Sequence, residues 1–491
     1  MSGGVTVQPE TAGAFMRLFR TFRSAGDTKR NLLLGALLIA PIIAAIAVYI
    51  VQRQPLIGTD SIEYLNWDPI RTSVYPLFLK VVRGPFVLPV QLLIFALSVS
   101  WLVQYVYRLY GNILLVALLC AAIIGNAYLW KLQVSVGSEA VTTPLLVILV
   151  GLLAGYLAQR RASTALVASA IAGVLAAARP SNFPLLVIPP IVVFVSSGSP
   201  GHRKLKIACL CLGIALIPVI ADKLVNRAVH GSQTTSLIGR HTYAKAVLID
   251  APPLPLPSNP VDRRLADLAQ RQFQPIRSVL HSVANRPTIL NIVSVGYETC
   301  VERACTDTAL PRWPISPAKL DEARFRVGLA RLKENPSGYL KLTLREYRTL
   351  WLLNPRKDPS IAHELNAYLA EAAPLPDQQL IAARWFDPVS PGEYSRSSGM
   401  IRSAFALLGI IAGILTILLG ALQLRKTAHP LLTASFVNLL SVQLVLVFCC
   451  FVGIGIPRYT MGMWPMLGAA LAFLAAAVID YWRAQPPPAH A

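Results

Sequence analysis

Charge is scarce in this chain: only 14% of its 491 residues are Asp, Glu, Lys or Arg, where a soluble globular domain carries roughly 25%. With 54% apolar residues and a mean hydropathy of +0.54, that scarcity excludes an ordinary water-soluble fold. Acids are scarcer than bases, 24 against 45, which leaves a formal charge of +21. Nucleic-acid binding does not follow, because no basic stretch is interleaved with aromatic residues. Residues 223–400 hold 23 basic and 16 acidic side chains, a net +7, so the other +14 lies on the apolar part, where it suits anionic lipid headgroups. Also missing are a Gly-rich phosphate loop ending in Lys-Ser/Thr, a His-Glu-x-x-His pair and a Cys-x-x-Cys pair. ATP-driven transport and zinc hydrolysis lose their usual sequence support. Cysteine is sparse and odd in number, seven in all. Cys120, Cys209, Cys211, Cys449 and Cys450 sit in apolar runs as packing residues. Cys300 and Cys305 lie in the polar segment, where an oxidising exterior would permit a local disulfide.

What the chain does have is long apolar runs, at 31–51, 85–107, 112–130, 139–157, 164–178, 183–195, 205–221, 401–422, 430–454 and 460–482. Most approach the ~20 residues a helix needs to cross hydrocarbon, while the fifth, sixth and seventh are short. The expected fold is mainly α: a polytopic helical membrane protein of about ten transmembrane helices with a large extracytoplasmic insertion. Arg17, Arg20, Arg23, Lys29, Arg30, Arg108, Arg160, Arg161, Arg203, Lys204, Lys206, Arg425 and Lys426 fall on one side of that arrangement. Short cytoplasmic loops retain such charge, so both termini are predicted to be cytoplasmic, although Arg53, Lys80 and Arg83 fall on the other side. Residues 1–30 lack a signal peptide's short apolar core and small-residue cleavage site, so the first run reads as an uncleaved signal anchor.

The division that follows is a basic segment 1–30, a membrane region 31–222 with an outer loop 52–84, an external domain 223–400, closing spans 401–482 and a short tail 483–491. Within the external domain, 261–270 has helical periodicity, and 317–333 reads as a helix with Leu320, Ala323, Val327 and Ala330 on one face and Phe325, Leu329 and Leu332 on a second. After the turn signal Asn335-Pro-Ser-Gly338, Leu340, Leu344, Tyr347, Leu350 and Trp351 make a stripe suited to a membrane or core surface.

Sorting the polar residues at span ends by side collects Asp60, Glu63, Tyr64, Asp68, Arg71 and Tyr75 from the first loop, Lys131, Ser138 and Glu139 before the fourth span, Arg179 after the fifth, and Arg458 and Tyr459 before the last. Their common side predicts one outer-face cleft, since ionisable residues at membrane depth mark functional sites. Asp60, a few residues past the membrane exit, is placed for desolvation to raise its proton affinity toward that of a general base, or else caps a loop helix. Arg71, Arg179 and Arg458 offer guanidinium forks for a phosphate, or snorkel to headgroups. Glu139 opens a span and suits a helix N-terminus or a ligand equally. Arg240, His241 and Lys245 make a basic cluster that would hold a sugar-phosphate or an acidic acceptor, or lie on a solvated surface. A divalent cation on Asp60 and Glu63 lacks the dense acidic cluster that would support it, so neither a metal site nor a cofactor is expected.

Asp60, Tyr64 and the run Arg71-Thr-Ser-Val-Tyr-Pro-Leu-Phe-Leu79 resemble the D…Y…R-x-P-G-Y-P-L-F-L pattern of bacterial membrane glycosyltransferases of the GT-C superfamily. Ser138-Glu139, Arg179-Pro180 and Pro457-Arg-Tyr459, each at a span end, resemble further elements of that group, and Ser73-Val74 departs from it where Pro-Gly is frequent. The likeness covers the membrane half and extends to the insertion only by position. It implies an inverting enzyme of the bacterial inner membrane, with its site facing the periplasm, that moves a sugar from a polyprenyl-phosphate donor to a lipid, glycan or cell-envelope acceptor. Asp60 would be the base, Arg458, Arg179 and Tyr459 would bind the donor phosphate, and Glu63, Tyr64, Arg71, Tyr75 and Glu139 would line the substrate. An O-antigen-ligase-like transferase, a transporter or lipid flippase, and a non-catalytic scaffold stay open as other readings. A transporter would place its charges near mid-span rather than at span ends.

Overall fold

The structure, a computed structural model, describes residues 28–57, 59–196, 200–231, 238–252, 254, 257–271, 315–351, 390–391, 399–424, 429–453 and 457–484. It is a helical bundle. In chain order the described membrane-half helices begin with α1 (Thr28–Gln52), α2 (Thr59–Leu65), α3 (Val74–Val81), α4 (Val87–Tyr110), α5 (Ile113–Ile124) and α6 (Ala127–Val134). They continue with α7 (Glu139–Gln159), α8 (Ala162–Ala178), a 3-10 stretch (Pro180–Val187), α9 (Ile188–Val195) and α10 (Gly201–His230). The insertion contributes α11 (Ile238–Val247), α12 (Pro260–Arg271), α13 (Pro317–Glu334) and α14 (Pro336–Leu350). The closing helices are α15 (Gly399–Leu424), α16 (Pro430–Val452), α17 (Pro457–Gly462) and α18 (Trp464–Ala484). The one described sheet is a parallel pair, Leu56–Ile57 against Ser390–Pro391.

Seven of these helices are long and apolar enough to cross a membrane, and they coincide with seven of the ten apolar runs. The third run is broken into α5 and α6, which meet at 55°. Asn126 causes the break by capping α6 through the Tyr128 N–H, and Trp130 Nε1 donates to the freed Ile124 carbonyl at 2.7 Å. The fifth and sixth runs remain short helices. The seventh is longer than its composition suggests: α10 carries 30 residues, past the boundary expected at 222, because Asp222 and Asn226 both find partners on the first loop. The pair Cys300 and Cys305, the basic residues before Thr28, Arg425, Lys426 and residues 485–491 lie outside the described residues, while α18 extends through the first two residues of the expected tail.

Helix α7 is central and apolar on all sides, as expected of a helix enclosed by others. Hydrocarbon gives no hydrophobic force between helices, so close approach depends on small residues. Gly151 and Gly155, one turn apart on α7, leave a groove for Trp101 and Tyr105 of α4, whose rings stack 5.0 Å apart. Gly173 of α8 likewise lets the Ala215 carbonyl of α10 approach. Four of the cysteines, Cys120, Cys211, Cys449 and Cys450, are buried free thiols.

In the insertion, Tyr243, Leu265, Ala269, Ala323, Val327 and Leu342 form a separate small core. The face of α13 predicted to bury Ala323 and Val327 does so, but Ala330 on the same face and Phe325 on the second are exposed. Gly173→Ala is expected to lower the unfolding midpoint in detergent, because the new Cβ meets backbone rather than a movable side chain. Gly213→Ala on α10 has open space and is expected to hold or raise it, by up to about 1 kcal/mol of helix propensity. Equal midpoints for the two variants would contradict the packing of α8 on α10.

Candidate functional site

Local chain geometry delivers each charge to the same end of the bundle. Pro180 holds the preceding residue in an extended conformation, which ends α8 and leaves Arg179 at φ −153° with its side chain turned toward α7. Pro457 opens α17 at its first position and makes Arg458 the next residue. Glu139 is the first residue of α7, where the helix dipole favours an anion. In the first loop, Ser61 Oγ donates to the Val136 carbonyl at 2.6 Å, pinning α2 to the strand-like turn before α7. Asp60 and Glu63, three residues apart on α2, then share a face.

The result is an alternating chain of charge, Glu63, Arg71, Asp60, Arg458, Glu139, Arg179. Arg71 Nε donates to Glu63 at 2.5 Å and its Nη2 to Asp60 Oδ1 at 2.8 Å. Arg458 Nη1 donates to Asp60 Oδ2 at 2.9 Å, while its Nη2 reaches Glu139 Oε2 at 2.7 Å and its Nε reaches Oε1. Arg179 Nη1 completes the row on Glu139 Oε1 at 2.7 Å. Three acids and three arginines sum to zero, so the row is neutral as a whole. Glu139 is almost fully buried, whereas the Asp60 side chain keeps 38% of its exposure. The Glu63 side chain keeps 28%, so Asp60 is the most open of the three acids.

Tyrosines line the row. The Arg71 guanidinium lies 4.8 Å from the Tyr64 ring centroid and that of Arg179 4.7 Å from Tyr459. Tyr64 donates to Ser138 Oγ at 3.0 Å and meets the buried Tyr75 edge-on. Thus ten residues collected from span ends by side, Asp60, Glu63, Tyr64, Arg71, Tyr75, Ser138, Glu139, Arg179, Arg458 and Tyr459, do share one region. Asp68 serves its own turn, its carbonyl accepting from the Arg71 N–H at 2.9 Å.

Two expectations are corrected. Burial does push the Asp60 carboxyl up, but Arg71 and Arg458 together outweigh it and hold the carboxyl below its ordinary value. In this arrangement Asp60 is a paired carboxylate and a weak base. Two members of the Arg240, His241 and Lys245 cluster, Lys245 and His241, are not available to an anion either. Asp321 of α13 already accepts from the backbone N–H groups of Gly239 and Arg240, and Lys245 is 1% exposed, paired with Glu346 at 2.7 Å and donating to the Cys450 carbonyl. His241 lies in contact range of Gly453 and is held neutral, its pKa lowered to about 3 by burial and then by Arg240, Lys245 and Arg71.

The sequence reading missed Asp222, Asn226 and Glu346. Asp222 Oδ1 accepts from the Ser73 N–H at 2.7 Å and from its hydroxyl at 2.5 Å, and Asn226 donates to the Arg71 carbonyl at 3.0 Å. Their i, i+4 spacing at the end of an apolar run was the available signal. Glu346 sits on the buried face of α14 with Leu342 and Leu350, an acid at helical spacing among apolar residues.

Among the described residues no cluster of three or more His, Cys, Asp or Glu could hold a metal ion. No protein-family model matches the chain, and no characterised protein or solved structure matches it.

A folded-state pKa of about 3 against an ordinary 6.5 means that the unfolded chain protonates His241 first as pH falls. Stability is then lost progressively below about pH 6.5, because the unfolded state binds the extra proton. His241→Gln is expected to shrink the drop in unfolding midpoint between about pH 7 and about pH 5. Parallel profiles for wild type and variant would contradict a buried neutral imidazole.

Proposed function

We propose that the charge row is the active site of an inverting membrane glycosyltransferase that takes a sugar from a polyprenyl-phosphate donor and passes it to a lipid, glycan or cell-envelope hydroxyl. The observation that carries this reading is the position of Asp60, reachable from outside and held between Arg71 and Arg458 at 2.8 and 2.9 Å. A base beside fixed guanidinium groups is what displacement of a phosphate from an anomeric carbon needs. The likeness of the first loop and span ends to the GT-C superfamily points the same way. A donor held by its lipid also explains why a site at the membrane edge would serve without a nucleotide-binding motif.

In the transfer step the acceptor oxygen attacks the anomeric carbon as the bond from that carbon to the phosphate oxygen breaks. The phosphate leaves with its electron pair onto Arg458, with Arg179 one link behind it, and the hydroxyl proton passes to Asp60. The paired state bears on the order of events. A phosphate that draws Arg458 away removes one of the two cations holding Asp60 down, so its proton affinity rises when the donor is in place. Tyr459, against Arg179, would fix the direction of that guanidinium.

Purified protein in lipid is to be given a panel of labelled polyprenyl-phosphate sugars together with extracted envelope lipids and glycans. Wild type is expected to form a labelled product, and Asp60→Asn to form none while eluting as wild type does, since Arg71 keeps Glu63 and Arg458 keeps Glu139. Arg458→Ala is expected chiefly to raise the donor KM. Turnover by the asparagine variant would remove Asp60 from the chemistry, and absence of product from every donor would turn the reading toward a diphosphate-linked glycan ligase or a transporter.

A further inference from the structure

The insertion reaches the charge row through the end of α14. Leu350 and Trp351, the last apolar residues of the stripe read from the sequence, are buried in the core of the spans, while Leu340 and Leu344 stay exposed. Trp351 is seated against Gly409 of α15, where an added Cβ would meet the Cβ of the tryptophan and the root of its ring. Leu350 is the last residue of α14, so its carbonyl has no partner within the helix. The hydroxyl of Thr460, fully buried, donates to that carbonyl at 2.8 Å. Thr460 stands two residues after Arg458 on α17.

At six residues α17 is far below the roughly 12 that an isolated helix needs to be even marginally stable, so its orientation comes from what it touches. Its far end runs on toward α18, the Met463 N–H donating to the Tyr459 carbonyl at 3.1 Å. Its near end, where Arg458 sits, follows the end of α16. Two carbonyls in the last turn of α16 are also taken by the insertion, that of Cys450 by Lys245 of α11 and that of Phe451 by Tyr339 of α14. Lys245 puts its cation where the helix dipole favours one, and Glu346 of α14 ties it back to the insertion at 2.7 Å. The insertion therefore holds the chain on both sides of Arg458, before it at 450 and 451 and after it at 460. None of these contacts is made by a member of the charge row.

We propose that the insertion positions Arg458, with the Leu350 carbonyl as the fixed point and Thr460 as the positioning residue that seats the guanidinium between Asp60 and Glu139. A hydroxyl at position 460 makes the bond this seat needs, and a methyl group of the same size does not. The inference concerns the geometry of the row and does not rest on the function proposed above. Only its consequence for a donor phosphate does.

The test is the rate at which a water-soluble carbodiimide couples an amine to Asp60, in the full chain in nanodiscs, read by peptide mass spectrometry at one mildly acidic pH. Coupling draws on the protonated carboxyl, so its rate follows the proton affinity that Arg458 holds down. A cation at contact lowers a carboxyl by about 1 unit or more, so Arg458→Gln is expected to raise the rate about tenfold. Thr460→Val is expected to raise it at least about threefold, and Thr460→Ser, which keeps the hydroxyl, to stay within about twofold of wild type. On the Arg458→Gln background Thr460→Val is expected to add nothing, because it acts through that guanidinium. A threonine that only stabilised the fold would loosen the site on both backgrounds alike. Should Thr460→Val not fold, Gly409→Ala, which displaces Trp351 and with it the end of α14, is expected to raise the rate in the wild-type background and not on Arg458→Gln. An unchanged rate in the variant used, an equal rise on both backgrounds, or no rise from Arg458→Gln itself would overturn the proposal. No donor enters these outcomes, so failure of the transfer reading leaves them decisive.

Discussion

Arg458 cannot satisfy its guanidinium without bringing three distant parts of the chain to one point. It bonds Asp60 from the first loop and Glu139 from the start of α7, and it is itself set by a proline after α16. A guanidinium or carboxylate taken out of water this far costs several kcal/mol unless it is paired, so the row must assemble as a unit. The supporting bonds follow from that requirement. Ser61 on the Val136 carbonyl, Asp222 on Ser73 and Asn226 on the Arg71 carbonyl hold the loop that carries Asp60 and Arg71, while Thr460 on the Leu350 carbonyl holds the helix that carries Arg458.

The same pairing sets the chemistry open to the site. Every arginine of the row has a carboxylate and the sum is neutral, so an entering anion competes with those carboxylates. Glu139 is held by two arginines and is buried, which makes it the fixed member. Asp60 is the exchangeable one, more exposed and bridged by cations from two different elements. Under the proposed function, an arriving phosphate and a freed carboxylate would then be adjacent, one to leave with the bond and the other to take the proton.

Much of this was legible in the sequence because membranes simplify the problem. Apolar length gives the spans, and alternation of sides tells which span ends meet, which is why Asp60, Glu139, Arg179 and Arg458 group together from the sequence alone. The electrostatic outcome was not legible. The proton affinity of Asp60 depends on two arginines 11 and 398 positions away, and only distance decides whether burial or pairing wins. The insertion was harder still, because its helices choose partners by shape. Lys245 looked like a surface cation until Glu346 and the end of α16 enclosed it, and the apolar residues of α14 divided between protein and exterior in a way no single periodicity reveals. The break between α5 and α6 was written in Gly125-Asn126, a turn signal inside a run long enough to pass as one span.

The central claim is that Arg458 exchanges a carboxylate for the phosphate of a lipid. Equilibrium binding of a polyprenyl monophosphate to the protein in nanodiscs, compared between wild type and Arg458→Gln, tests it most directly. The account predicts saturable binding by wild type that is weakened at least about tenfold in the variant, the loss expected for one charge-assisted contact of about 1.4 kcal/mol or more. Equal binding by the two proteins would contradict it.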